Sequence, residues 1–124
     1  MPRILVVEDD RPFREMLRKI LERAGHEVEE ADNGNVCIEL YRKMASDVVI
    51  MDLVMPDKEG IETIMDLRRM NPEVKIIAIS GGGRMRPDGP LAMAKKLGAG
   101  RSLAKPFTPQ ELLGAVAEVL AEPR

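Results

Sequence analysis

The chain alternates short, uninterrupted apolar runs with longer segments of helical period. Three of these runs are β-branched and continuous, as is typical of parallel strands that are buried on both faces. They are ILVV at 4–7, VVIM at 48–51 and IIAI at 76–79. Two more polar candidates, HEVEEA at 26–31 and RSLA at 101–104, suit the edges of a sheet. The pattern therefore predicts five strands, of which three are central.

Amphipathic segments lie between and after these runs. The clearest one has its apolar residues on a single stripe, formed by Phe13, Met16, Leu17, Ile20, Leu21 and Ala24. Gly25 is expected to close this helix. A similar stripe near the C-terminus is formed by Leu112, Leu113, Val116, Val119 and Leu120. Thr108 is its expected N-cap, with Pro109 in the first turn. Strand and helix thus alternate five times, which predicts an α/β fold with a parallel, doubly wound sheet and helices on both faces.

Composition limits the possible classes of function. A chain of 124 residues predicts one domain that spans residues 1–124. The apolar runs are too short to cross a bilayer, and the N-terminal MPRILVVE does not resemble a signal peptide, so we expect a cytoplasmic protein. The single cysteine, Cys37, excludes an internal disulfide and is expected to be buried. A net charge of −2, two phenylalanines and one tyrosine argue against direct nucleic-acid binding.

Polar residues stand where the predicted strands end. They are Glu8, Asp9 and Asp10 after strand one, Asp52 after strand three, Ser80 after strand four and Lys105 after strand five. Because ligands of an open parallel sheet bind at the carboxyl ends of its strands, these residues are expected to share one edge. Two carboxylates ~4 Å apart repel by ~4 kcal/mol at an effective dielectric of ~20. Mg²⁺, which prefers oxygen ligands, and the ammonium of Lys105 would relieve that repulsion.

A second interpretation of the acids remains open. They could be solvated loop residues and helix caps instead of metal ligands. For Asp10, which stands just ahead of Pro12 and the first helix, N-capping is the favoured role.

Four motifs resemble the receiver domain of bacterial two-component response regulators. They are ILVVEDD at 4–10, MDLVMPDKEG at 51–60, IIAIS at 76–80 and LAKPF at 103–107, and the resemblance covers essentially the whole chain. It implies a flavodoxin-like, five-stranded parallel sheet with strand order 2-1-3-4-5. It also implies a phosphoacceptor that takes a phosphoryl group from the histidine of a sensor kinase. Such a protein catalyses its own phosphorylation and dephosphorylation and is not otherwise an enzyme.

The resemblance also implies which residues hold Mg²⁺. Asp9 would bind the ion directly, and Glu8 would bind it through water. A side-chain oxygen of Asp52 and the backbone carbonyl of Val54 would supply further ligands.

The same resemblance assigns the phosphoryl chemistry. Asp52 would be the phosphorylation site, Ser80 would hydrogen-bond a phosphoryl oxygen, and Lys105 would form an ion pair with the group. Gly60 would open the helix that follows this turn. Many receivers carry an aromatic residue three positions before the lysine, whereas this chain has Ser102, so an aromatic readout of phosphorylation is in doubt.

The connection SGGGRMRPDGP at 80–90 is longer than the other turns, and we expect a mobile loop there. Two interpretations of it stay open. It could be a partner-specific switch loop, or it could be a tolerated surface insertion.

Two other classes of function compete with the signalling interpretation. A Mg²⁺-dependent phosphohydrolase could use Asp52 covalently on a diffusible substrate, but it would usually need a substrate-binding insertion. A nucleotide- or flavin-binding domain would need a glycine-rich cradle after strand one, where the chain has the acidic segment EDDRP. The expected partners are a sensor histidine kinase or phosphotransfer protein and a downstream effector protein or domain, with a homodimer left open. We expect either a free-standing receiver or the N-terminal part of a longer regulator.

Overall fold

The computed structural model describes residues 1–53, 59–81 and 90–123. Strands and helices alternate along these segments. The strands are β1 Arg3–Val7, β2 Glu27–Ala31, β3 Val48–Asp52, β4 Ile76–Ser80 and β5 Arg101–Ala104. The helices are α1 Arg11–Arg23, α2 Gly34–Lys43, α3 Glu59–Met70, α4 Pro90–Lys96 and α5 Pro109–Ala121.

The strands form one parallel sheet with the order β2-β1-β3-β4-β5. The predicted doubly wound architecture is therefore confirmed, and the two polar strand candidates lie at the edges. From β1 the chain first moves outward to β2 and then returns past β1 to β3, so the direction of winding reverses between β1 and β3. The register pairs Val7 of β1 with Met51 of β3 and Asp52 with Ile79 of β4. The carboxyl ends of these central strands thus lie side by side at the reversal point.

Apolar residues of the central strands pack on both faces of the sheet. On one face, strand residues pack against α2, α3 and α4, and the buried set includes Leu5, Val7, Val49, Met51, Cys37, Tyr41, Ile64, Leu67 and Ala94. On the other face they pack against α1 and α5, with Ile4, Val6, Val48, Ile50, Leu17, Leu21, Leu112 and Val116. This burial on two sides explains why the central strands are continuous apolar runs.

The ends of two helices test the predicted caps. Thr108 is the N-cap of α5 and Pro109 lies in the first turn, as predicted. Thr108 also forms a capping box with Glu111, which the sequence analysis did not include. Asp10 occupies the N-cap position of α1, as predicted, but its side chain makes no capping hydrogen bond. An N-cap side chain bonds the second or third helical N–H. The second helical residue of α1 is Pro12, which has no N–H to donate.

Cys37 lies in α2 and is fully buried against the sheet, as predicted. Burial raises the pKa of its thiol to about 12, because the charged thiolate is poorly solvated there. Across the described segments, each helix is too short or too polar to cross a membrane.

Candidate functional site

The carboxyl edge of the sheet brings together three acidic side chains from two strands. Glu8 and Asp9 follow β1 directly, and Asp52 is the last residue of β3. One carboxylate oxygen from each of the three lies within 4.8 Å of the other two. The pairing of β1 with β3 produces this proximity, since it aligns Val7 with Met51, the residues that directly precede Glu8 and Asp52.

The three carboxylates differ in burial. Glu8 and Asp52 are each only 1% exposed, whereas Asp9 is exposed to solvent. The backbone N–H of Asp10 donates to Oε1 of Glu8 at 2.9 Å. Oε2 of Glu8 is buried and has no hydrogen-bond donor among the residues that the structure describes. Burying a carboxylate oxygen without a donor costs free energy, so a cation bound next to this atom would stabilise the site.

Lys105 supplies one positive charge to the cluster. Its Nζ donates to Oδ2 of Asp52 at 3.0 Å and lies 3.8 Å from Oε2 of Glu8. One ammonium thus faces two buried carboxylates, with the exposed carboxylate of Asp9 beside them. The remaining negative charge and the all-oxygen donor set match a hard divalent cation such as Mg²⁺. The residues present therefore fit the ion that the sequence predicts.

Ser80 and Lys105 are held next to the acidic cluster by backbone pairing. Asp52 pairs with Ile79 of β4, so Ser80 stands one position beyond the partner of Asp52. The N–H of Lys105 donates to the carbonyl of Ser80 at 3.0 Å, which continues the β4–β5 pairing past the end of β5. The predicted ligand Val54 and the long connection, apart from its ends, lie outside the described residues.

Two residues of α1 also contact the site, and the sequence analysis missed both roles. The Nζ of Lys105 lies 4.2 Å from the ring centroid of Phe13, which the apolar stripe assigned to the core alone. Arg14 donates from Nη1 to the carbonyl of Glu8 at 2.8 Å and from Nε to Oε1 of Glu30 at 3.0 Å. The only available signal was that both residues follow the acidic segment within the first turn of the helix.

Arg14 links Glu8, which follows β1, to Glu30 of the edge strand β2. Burial alone would raise the pKa of Glu30, but hydrogen bonds from Arg18 and Arg14 outweigh it and lower that pKa below its usual 4.5. The carboxylate of Glu30 therefore stays ionised at neutral pH and holds the guanidinium of Arg14 in contact with the carbonyl of Glu8.

The start of α3 lies very close to the backbone of Asp52 at the end of β3. Gly60 lies in the first turn of α3, as predicted, and is buried. A Cβ added there would stand 2.9 Å from the backbone oxygen of Asp52 and 3.4 Å from Cα of Leu53. Only glycine lets α3 begin this close to the end of β3.

Comparison with known proteins gives a consistent result. The sequence model of the response regulator receiver domain matches residues 4–117. The chemotaxis protein CheY of Thermotoga maritima is 36% identical over 118 residues, which are 94% of this chain and 96% of that protein. The DNA-binding transcriptional regulator NtrC of Azospirillum brasilense is 33% identical over 117 residues, 94% of this chain but only 24% of its own length. A putative response regulator from Chloroflexus aurantiacus has a similar structure, with a TM-score of 0.88, 30% identity and 98% of each chain covered.

Proposed function

The chain belongs to the response regulator receiver domain family, and on that basis we propose that it accepts a phosphoryl group on Asp52. Receiver domains are phosphoacceptors, and they interact with histidine kinases and effector domains. The family binds Mg²⁺ at an acidic pocket. The proposal goes further by naming the acceptor, the metal ligands and the assisting residues of this chain.

One observation carries the proposal: Asp52 is a buried carboxylate in direct contact with the ammonium of Lys105. A carboxylate that attacks phosphorus meets an electrophile of like charge, so cations must lower the repulsion. Lys105 already lies at 3.0 Å from the attacking group. Its ammonium is free to turn toward an incoming phosphoryl oxygen because the lysine stem is long and flexible.

The transfer is an in-line displacement at phosphorus. An oxygen of Asp52 forms the new O–P bond while the bond from phosphorus to the donor atom breaks. That donor atom is an imidazole nitrogen of phosphohistidine or the leaving oxygen of acetyl phosphate, and it keeps the electron pair. Ser80, next to Asp52 by register, donates a hydrogen bond to a phosphoryl oxygen in the product.

The metal ligands follow from the cluster of carboxylates. We propose that Asp9 and Asp52 bind Mg²⁺ through side-chain oxygens, that Glu8 binds it through water, and that the Val54 carbonyl completes the protein ligands. Oε2 of Glu8 lacks another donor in the described part of the chain, which supports its share in this set. When bound, the ion neutralises charge on the phosphoryl oxygens during transfer.

We base the proposed partners on the family and on two kinds of relative. A sensor histidine kinase or a phosphotransfer protein would donate the phosphoryl group, and a downstream effector protein or domain would respond to the phosphorylated state. CheY of Thermotoga maritima matches along nearly its whole length, whereas NtrC contains a much longer remainder. Both a free-standing receiver and a receiver within a longer regulator are compatible with this proposal. We propose a cytoplasmic location, which suits the single cysteine.

Labelling by acetyl phosphate with Mg²⁺ tests the assignment of Asp52. The wild type should gain one phosphoryl group, and peptide mapping after borohydride reduction should locate it at residue 52. Asp52→Asn should remain unlabelled, because the amide is a poor nucleophile. Asp66→Asn, an exposed change in α3, is the matched control and should label like the wild type. Stable label on a different aspartate in Asp52→Asn, formed at the wild-type rate, would overturn the proposal.

A further inference from the structure

Phe13 presents its ring to the ammonium of Lys105. The Nζ of Lys105 lies 4.2 Å from the ring centroid, within the range of a cation–π contact. Phe13 is half-buried and belongs to the first turn of α1, whereas Lys105 follows β5. The contact therefore joins two elements that are far apart in the chain at the atom that assists phosphoryl transfer.

A second ring fixes the orientation of the first. The ring centroids of Phe13 and Phe107 are 5.9 Å apart with an interplanar angle of 74°, which is an edge-to-face pair. Phe107 follows Lys105 by only two positions. The segment that carries the lysine thus also carries the ring that holds Phe13 in place.

The lysine needs such support because its side chain is flexible and not fully buried. The side chain of Lys105 is 27% exposed, so solvent competes for its ammonium. Glu8 and Asp52 attract it on one side, and the Phe13 ring provides a non-ionic contact. An aliphatic residue at position 13 would fill similar space against Phe107 but would offer no negatively polarised face.

We propose that Phe13 is a positioning residue: its ring holds the ammonium of Lys105 against Asp52 before the phosphoryl donor arrives. This inference rests on the proposed function of Asp52. A cation that is already in place lowers the activation free energy, because the site does not have to reorganise during the transfer. Phe13 therefore sets the rate of transfer without touching the phosphoryl group.

The first test compares Phe13→Leu with Phe13→Tyr. Under saturating Mg²⁺, the rate of Asp52 labelling by acetyl phosphate should fall about fivefold in Phe13→Leu, because the cation–π contact is lost. Phe13→Tyr keeps the aromatic face and should stay within about twofold of the wild type. Equal losses in both variants, or no loss in Phe13→Leu, would overturn the inference.

A series of fluorinated residues at position 13 separates the electrostatic role of the ring face from its role in packing. Mono-, di- and trifluorinated phenylalanine at position 13 keep the shape of the ring but progressively weaken its negative face. The labelling rate should fall stepwise along this series while the melting temperature stays nearly constant. A rate that does not depend on fluorination would show that Phe13 acts through packing alone, even if Phe13→Leu fails to fold.

The outcomes also separate this inference from the proposed function. Absence of label on Asp52 in the wild type would refute both. Labelling of wild-type Asp52 at a rate that is unchanged across the fluorinated series would refute only the role of Phe13.

Discussion

Oε2 of Glu8 lies 3.8 Å from the ammonium of Lys105 and has no hydrogen-bond partner within the described segments. The same ammonium lies closer to Asp52, at 3.0 Å. The lysine therefore compensates Asp52 first and Glu8 only in part. This unequal sharing leaves a surplus of negative charge in a buried position, and it determines how the site should respond to metal and to mutation.

Removal of the charge on Glu8 should reduce the response to Mg²⁺. Glu8→Gln keeps an acceptor for the Asp10 N–H but removes a buried charge that repels Asp52. Without divalent ions we expect this variant to be at least as stable as the wild type. The rise in melting temperature on adding Mg²⁺ should shrink by more than half, since a ligand that binds more weakly stabilises the folded state less at the same concentration. Thermal melts with and without Mg²⁺ measure both effects.

Exposed Glu62→Gln in α3 is the control for that comparison and should keep the full Mg²⁺ response. A full response in Glu8→Gln as well would remove Glu8 from the proposed metal ligands.

Lys105→Met should affect metal binding and phosphoryl transfer in opposite directions. The ammonium competes with Mg²⁺ for the same carboxylates, so its loss should tighten Mg²⁺ binding by about tenfold. The rate of labelling by acetyl phosphate should fall by about 100-fold, as is typical when one preorganised charge is removed. Isothermal titration and a labelling time course give the two numbers. Exposed Lys19→Met should change neither, and parallel losses of both properties in Lys105→Met would contradict the competition.

The close approach of Gly60 to Asp52 predicts a steric effect. A Cβ at position 60 would stand 2.9 Å from the backbone oxygen of Asp52, so Gly60→Ala must displace either α3 or the end of β3. We expect a loss of ~1–3 kcal/mol in the free energy of unfolding, together with slower labelling of Asp52. Urea denaturation provides the stability.

Gly114→Ala in α5 is the matched control for this helix substitution. An added Cβ there meets nothing within 4 Å, so the variant should gain ~0.5–1 kcal/mol from the better helix propensity of alanine. Similar stability changes in the two variants would argue against the steric explanation at Gly60.

The lowered pKa of Glu30 predicts a specific dependence of stability on pH. Its hydrogen bonds from Arg18 and Arg14 stabilise the fold above the usual pKa of 4.5. That contribution should disappear as the pH falls through the lowered pKa of the folded state. In Glu30→Gln, unfolding by urea should thus depend less on pH between roughly 5 and 3. The control is the exposed Glu39→Gln, which removes one carboxylate but leaves the contacts of Glu30 with Arg14 and Arg18 in place.

The sheet and the acidic cluster could be predicted because each depends on local sequence and one rule of topology. A continuous apolar run such as IIAI is required wherever a strand is covered on both faces. Residues that directly follow the predicted strands, including Asp52 and Lys105, must meet at one edge of a parallel sheet.

The contacts of α1 could not be predicted in the same way. Whether Phe13 faces the core or the ammonium of Lys105 depends on the rotation of α1 about its axis and on its packing against Phe107. Hydrophobic periodicity defines a stripe, but it does not show which residue of the stripe lies above the site. Likewise, no local pattern distinguishes the buried Glu8 from its exposed neighbour Asp9.

The buried thiol of Cys37 has a practical consequence for labelling the protein in solution. Maleimide dyes react with thiolates, and this thiol is both enclosed and protonated up to a pH of about 12. A cysteine introduced on the surface, for example by Met44→Cys, would therefore be the sole reactive thiol of the folded chain. Fluorescence from one attached dye would then report on the one position chosen for labelling.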